Sequence, residues 1–235
     1  MNQTVLDVKN LKTEFINDKK AFPIIKDVNF KLERGKVLGI VGESGCGKSV
    51  TVNTVLNLLP KNGRIAEGEI TYFDEDKPIE LQKLKQYGKE FRKLRGEKIS
   101  MIFQDPMSAL NPVYTIGNQI TEVLFEHYDI SKEEANKRAI EMLEKLGIHN
   151  AKERMNDYPH QFSGVQRQRI IIAIAMVCNP DILIADEPTT ALDVTIQAQI
   201  LDLLDELRKE HGTSIILITH DLGVIAQIAD EVAVM

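Results

Sequence analysis

The stretch GESGCGKS, Gly42 to Ser49, sets three glycines ahead of a lysine and a serine. It fits the pattern G-x-x-x-x-G-K-S, in which glycines let the backbone curl until successive N–H groups point at phosphate oxygens. A helix beginning at the end of the loop would add its positive N-terminal end. Lys48 is placed to neutralise β- and γ-phosphates, and Ser49 to ligate Mg²⁺. The candidate nucleotide cradle is therefore Gly42, Glu43, Ser44, Gly45, Cys46, Gly47, Lys48, Ser49 and Val50. A glycine-rich turn with no ligand is the plainer reading, and the complete pattern in strand–helix context disfavours it. Cys46 fills a free position of the loop and reads as incidental rather than reactive.

Cleaving a phosphoanhydride needs a second metal carboxylate and a group to position water. DILIADEP supplies both: Asp186 for Mg²⁺, through water, and Glu187 as general base. Neighbours on an extended strand point different ways, so the two acids are expected to face different partners. The alternative is a pair of solvated strand-end acids. A second anion feature lies in FSGVQRQR, where Ser163 and Gly164 have the look of a helix cap and a tight turn.

These groups need a scaffold, and the sequence outlines one. VLDVKNLKTEF, PIIKDVNFKL and VLGIV are strand-like, and a helix is expected from Ser49 to about Leu59. GEITYF resumes strand patterning, the charged segment from about Ile79 to Arg95 reads as a surface helix, and ISMIF (Ile99 to Phe103) as a buried strand ending at Gln104. Pro106 and Pro112 then break the chain. In the helical run that follows, Ser131 with Glu134 suggests a capping box and Gly147 a stop, and the run extends to about Gln161. The last third alternates again: a helix from Gly164, strand DILIAD, a helix opened by Asp193, strand SIILIT, and a helix from Asp221. Short apolar strands separated by helices predict an α/β fold with a mainly parallel sheet covered on both faces.

Composition sets limits. The chain has 235 residues, 43% apolar and 27% charged, enough for one large domain with a substantial core. A net charge of −6 argues against nucleic-acid affinity driven mainly by charge. Cys46 and Cys178 form no metal-ligand spacing and suit a reducing, cytosolic setting. The start, MNQTVLDVKNLKTEF, has no apolar signal-peptide core. The longest apolar run, Ile170 to Cys178, is far short of the roughly 20 residues that span a bilayer.

The order of motifs narrows the class. Gln104 at a strand end, FSGVQ at 162–166, DEP at 186–188, ALD at 191–193 and His220 after SIILIT together resemble the ATP-binding cassette (ABC) ATPases. QDPMSALNP, YPHQFSG and ADEPTTALDVTIQAQIL resemble the dipeptide/oligopeptide importer subgroup, which also includes nickel importers. The resemblance implies a P-loop NTPase core with an N-terminal antiparallel β subdomain and an inserted helical subdomain. The catalytic core would span about 1–104 and 164–235, and the helical subdomain about 105–163. It implies ATP and Mg²⁺ as ligands and a peripheral place on the cytoplasmic face of the membrane. The partners implied are a second, identical or homologous nucleotide-binding subunit, two membrane-spanning permease subunits and an extracytoplasmic solute-binding protein. The chain stops at DEVAVM, inside an expected strand, where a C-terminal extension is expected to follow.

The resemblance also assigns roles. The Walker loop would hold this chain's ATP, and Ser163, Gly164, Val165 and Gln166 would form the signature that touches the partner's ATP. Gln104 would contact Mg²⁺ or the lytic water and report to the membrane subunits. His220 would reach the γ-phosphate and keep Glu187 and water in line, and Asp193 would order the dimer interface. Phe15 is the choice for stacking on adenine, with Phe22 next. The stretch LNPVYTIGNQI would face the membrane subunits. Val165 replaces the second glycine of the signature, and a β-branched residue disfavours φ > 0. An impaired site serving the partner's ATP, in an asymmetric pair or through an engineered change, is the expectation. DNA-maintenance relatives carry long coiled coils inside the cassette, for which the segment from Gln104 to Ser163 has no room.

Overall fold

The computed structural model describes residues 3–75, 77–105, 109–190 and 193–235. Two sheets carry it. The first is antiparallel, with strands β1 (Thr4–Asn17), β2 (Lys20–Glu33), β4 (Gly63–Asp74) and β5 (Lys77–Glu80) in the order β2-β1-β4-β5. The second is parallel: β3 (Val37–Val41), β6 (Ile99–Ile102), β7 (Ile182–Asp186), β8 (Ser214–Thr219) and β9 (Glu231–Val234) in the order β6-β7-β8-β3-β9.

The parallel strands are apolar on both faces because both are covered. Along β8, Ile215 and Leu217 join one buried cluster while Ile216 and Ile218 join the other. In β7 the same period of two sends Leu183 and Ala185 one way and Ile182 and Ile184 the opposite way. One cluster is closed by the antiparallel sheet and by α1 (Lys48–Val55), through Leu6, Leu32, Ile70 and Val52. The other takes in the helices: α2 (Lys89–Glu97) lies outside it, while α3 (Ile116–His127), α4 (Lys132–Lys145), α5 (Ala151–Arg154), α6 (Gly164–Met176), α7 (Val194–His211) and α8 (Leu222–Ile228) supply residues such as Ile120, Leu143, Ile172, Leu204 and Ile225. Each such side chain contributes roughly 1.5–3 kcal/mol of burial.

Helix starts follow local chemistry. Ser131 Oγ accepts from the Glu134 N–H, Asp193 Oδ1 from Ile196, and Asp221 Oδ1 from Gly223. Several sequence expectations shift. Helix α1 ends at Val55, because Asn57 turns left-handed at φ 50. The charged segment is a surface helix only from Lys89; before it, Lys77–Glu80 pairs with β4 and Leu81–Lys83 is a single 3₁₀ turn. Strand β6 stops at Ile102, and Phe103 is half exposed instead of buried. Among the expectations, Pro106 as a chain break and Ala191 and Leu192 of the ALD stretch lie outside the described residues.

Candidate functional site

The parallel order brings the C-terminal ends of β3, β6, β7 and β8 to one edge, the crevice where open α/β sheets bind ligands. From β3 the chain enters Gly42–Ser49. Gly47 precedes α1 with φ 108, a left-handed conformation that an L side chain rarely adopts. Lys48 is buried, and its ammonium donates to the carbonyls of Gly42 at 2.8 Å and Glu43 at 3.0 Å, so the cation lies in the curl of the loop. The Cys46 thiol is half-buried, its Sγ 3.9 Å from the Lys48 ammonium.

Across from the loop, Ser49 Oγ donates to Asp186 Oδ1 at 3.1 Å. Burial pushes the Asp186 carboxyl above its ordinary pKa; the Ser49 hydrogen bond opposes that rise, Glu187 adds to it, and Lys48 opposes it. A buried carboxylate beside a hydroxyl is an all-oxygen donor set suited to a hard cation. Among the described residues no group of three or more His, Cys, Asp or Glu forms a metal cage. Mg²⁺ takes one or two protein oxygens and completes its shell with water and phosphate. Ser49 and Asp186 therefore fit it.

Glu187 departs from the strand logic of the sequence. Strand β7 ends at Asp186, and Glu187 adopts φ 48, so a left-handed turn aims it. A non-glycine residue there, directly before Pro188, is strained by roughly 1–3 kcal/mol. Hydrogen bonds from several segments hold it there. Its N–H donates to the Ile218 carbonyl at 2.9 Å. Its Oε2 accepts from Gln104 Nε2 at 2.9 Å and Thr190 Oγ1 at 3.0 Å, and its Oε1 lies 3.2 Å from His220 Nδ1. Partial burial raises the carboxylate pKa, but the hydrogen bonds from His220, Thr190 and Gln104 and the nearby His220 charge outweigh it, and the net shift is downward. The ionised, proton-accepting form is thus favoured. Gln104 and His220 are exposed beside it, open to a ligand.

Lys48, Ser49, Gln104 and Glu187 line one cavity of about 250 Å³, with Ser44, Gly45, Gly47 and Val50 of the loop. Sequence reasoning missed Ile24, which lines this cavity from β2, and Thr190. The threonine had a signal, its place three residues after Glu187 in DEPTT. Phe15 is half-buried, its ring against Gly63, where an added Cβ would come within 2.9 Å of Cε1. Phe22, its neighbour across the β1–β2 ladder, is 49% exposed.

The signature stretch opens α6 some way from these groups in sequence. Ser163 Oγ accepts from Gln166 N–H at 3.3 Å, and Gln166 Oε1 from Ser163 N–H at 3.1 Å, a reciprocal capping box. Among the described residues the N–H groups of Gly164 and Val165 have no partner, which leaves two donors free at an exposed helix start. Gly164 is the first helical residue, so the tight turn expected there is the opening turn of α6. Val165 is also helical with φ below zero, so the conformational objection to a β-branched residue does not apply there.

Beside this cavity, Met101, Phe103, Asp105, Ala109 and Asp186 line a second one of about 550 Å³ that shares Ser49 and Gln104 with it. Phe103, which lines it, is 50% exposed, and further along the chain Val113 (70%) and Tyr114 (54%) are exposed as well.

A parallel sheet with a phosphate loop after its β3 strand and an acidic pair ending β7 defines a P-loop nucleoside triphosphatase. Residues 25–190 match the family profile described as ABC transporter. The chain is 52% identical over 234 residues to the dipeptide transport ATP-binding protein DppD of Bacillus subtilis, covering 99% of this chain and 68% of that protein. It is 53% identical to the oligopeptide transport ATP-binding protein OppD of the same organism, covering 98% of this chain and 63% of that one. Among solved structures, the dimeric post-hydrolysis ATP-binding cassette MJ0796 bound to ADP and Pi superposes with a TM-score of 0.82 at 31% identity, covering 98% of this chain and 94% of that chain. The chain belongs to the ABC transporter family, whose members bind and hydrolyse ATP.

Proposed function

We propose that this chain is the ATP-hydrolysing subunit of an importer of dipeptides or oligopeptides, acting peripherally at the cytoplasmic face of the membrane. The observation that carries the hydrolytic half is the Glu187 carboxylate, held by Gln104, Thr190 and His220 beside Lys48, Ser49 and Asp186. The peptide half is supported by relatives about half identical over nearly the whole chain and named as dipeptide or oligopeptide transport proteins. This chain spans 68% and 63% of their length.

In this reading Gly42 to Val50 cradle the triphosphate, and Lys48 exchanges its bonds to the Gly42 and Glu43 carbonyls for β- and γ-oxygens. Mg²⁺, when bound by Ser49 and Asp186 with Gln104 nearby, supplies charge neutralisation at the phosphates. The Glu187 carboxylate accepts one proton of the attacking water on one oxygen as the hydroxide bonds to the γ-phosphorus and ADP leaves, and His220 holds that water and the carboxylate in line. Phe15, with Phe22 beside it, is the proposed adenine platform. A head-to-tail partner receives Ser163, Gly164, Val165 and Gln166 at its own γ-phosphate, through the two free N–H groups. Asp193, which caps α7, lies at that interface. Closure on ATP and reopening after hydrolysis then drive two permease subunits fed by a solute-binding protein. The second cavity and the exposed Phe103, Val113 and Tyr114 seat a permease helix.

The test is reconstitution with the permeases and second ATPase encoded beside it. ATP-driven uptake of a labelled dipeptide or oligopeptide is expected. Turnover with uptake of nickel and of no peptide would overturn the peptide assignment. Val165→Gly removes an isopropyl group from the surface that meets the partner's phosphate. It should raise the ATPase rate of the assembled complex by roughly 2- to 10-fold, about 0.4–1.4 kcal/mol in barrier. An unchanged rate would show that valine is harmless there.

A further inference from the structure

Helix α6 carries three polar side chains in a row after the signature, Arg167, Gln168 and Arg169, and they reach in different directions. Arg167 Nε donates to the carbonyls of Pro159 at 2.8 Å and Phe162 at 3.0 Å, and Arg169 Nη1 to that of Leu146 at 2.9 Å. Both tie α6 to the helical part of the molecule. Gln168 turns to the catalytic core. It is 1% exposed, and its Nε2 donates to the Pro188 carbonyl at 2.6 Å. Among the described residues its buried Oε1 has no hydrogen-bond partner.

A buried amide that leaves its acceptor unsatisfied is a poor choice for stability, since an apolar side chain of the same length would avoid that penalty. The assignment of the two amide atoms is fixed by chemistry, because an oxygen facing the Pro188 carbonyl would be repelled. The one bond that Gln168 makes lands on the residue after Glu187. Glu187 holds its left-handed φ of 48 only while its surroundings fix the turn. On the far side the Ile218 carbonyl fixes the Glu187 N–H, and the Thr190 N–H donates to the Glu187 carbonyl at 3.1 Å. Gln168 closes this frame from α6.

We infer that Gln168 is a positioning residue that ties the helix bearing the signature to the strained Glu187–Pro188 turn, so that the seating of α6 on a partner's nucleotide and the aim of this chain's own Glu187 move together. The inference rests on the hydrolytic reading above and adds a link between the two nucleotide sites of the pair. It makes Gln168 act through Glu187 and not through ATP, which none of its atoms is proposed to touch.

The experiment is a double-mutant cycle on the assembled complex with Gln168→Met, which keeps the length and volume and removes the donor, and with Glu187→Gln. In the wild-type background Gln168→Met should lower kcat about tenfold with the KM for ATP unchanged. In the Glu187→Gln background it should lower the residual single-turnover rate by less than twofold, because the group it positions is already gone. An unchanged kcat overturns the inference. So does an equal loss in both backgrounds, which marks a purely structural role; any shared loss of folded protein cancels between the two arms. Absence of ATP turnover in the unmutated complex is a separate result, and it would refute the hydrolytic reading itself.

Discussion

Replacing Glu187 by glutamine lowers steady-state ATP hydrolysis by roughly 10²–10⁴-fold, the usual contribution of a general base, and leaves ATP bound. The substitution keeps the side chain's size, and the amide oxygen can still accept from Gln104 or Thr190. What it removes is the charge that accepts a proton. The native carboxylate is ionised and aimed for that task, since the bonds from His220, Thr190 and Gln104 outweigh partial burial in its downward-shifted pKa and fix its oxygens in place. Lys48, Ser49 and Asp186 are untouched, so the phosphate cradle and metal ligands persist. Phosphate release by the assembled complex checks this, with bound nucleotide assayed in parallel. Persistent hydrolysis would remove Glu187 from its role.

The second large effect is expected at Ser163, proposed above to serve the partner's nucleotide and not this chain's own. Ser163→Arg places a long cation on the exposed start of α6, in front of the free N–H groups of Gly164 and Val165. It also removes the Ser163 half of the capping box with Gln166, a loss of about 1 kcal/mol. That is small beside the buried face of α6, where Ile170, Ile172 and Ala173 are fully covered, so the helix persists. Blocking donors aimed at a developing phosphate charge lowers the ATPase rate of the pair on the order of 10²-fold or more. Nucleotide affinity of the isolated chain stays unchanged, because the Gly42–Ser49 loop is intact. The comparison of rate with affinity is the check, and a loss of both together would contradict it.

The candidate site was legible because the loop and the acidic pair belong to contiguous motifs with their own local geometry, while Gln104 and His220 stood out through the resemblance to the ABC ATPases. The loop at Gly42–Ser49, the acidic end of β7, Gln104 after β6 and His220 after β8 all stand where strand–helix alternation puts them. The capping residues Ser131, Ser163, Asp193 and Asp221 were readable for the same reason. What escaped depends on contacts between segments far apart in the chain. Gln104 and Glu187 are 83 positions apart and share a hydrogen bond that no periodicity announces. The left-handed turn at Glu187 replaced the expected strand alternation because the Ile218 carbonyl and Pro188 hold it there. The end of the Lys77–Glu80 strand fell in the charged run from about Ile79 that reads as helix, and pairing with β4 decided it. The signature valine looked like a backbone problem, yet α6 gives it an ordinary helical conformation.

The central claim is that two anion sites in one chain serve two different ATP molecules. It is tested most directly in the Glu187→Gln chain with its nucleotide-binding partner, by measuring ATP-dependent association in the ultracentrifuge with and without Ser163→Arg. ATP binding to the isolated chain is titrated alongside. The account predicts that ATP drives association of the Glu187→Gln chain, and that Ser163→Arg abolishes it while the isolated chain binds ATP as before. Association that survives Ser163→Arg, or ATP binding by the isolated chain that is lost with it, would contradict the account.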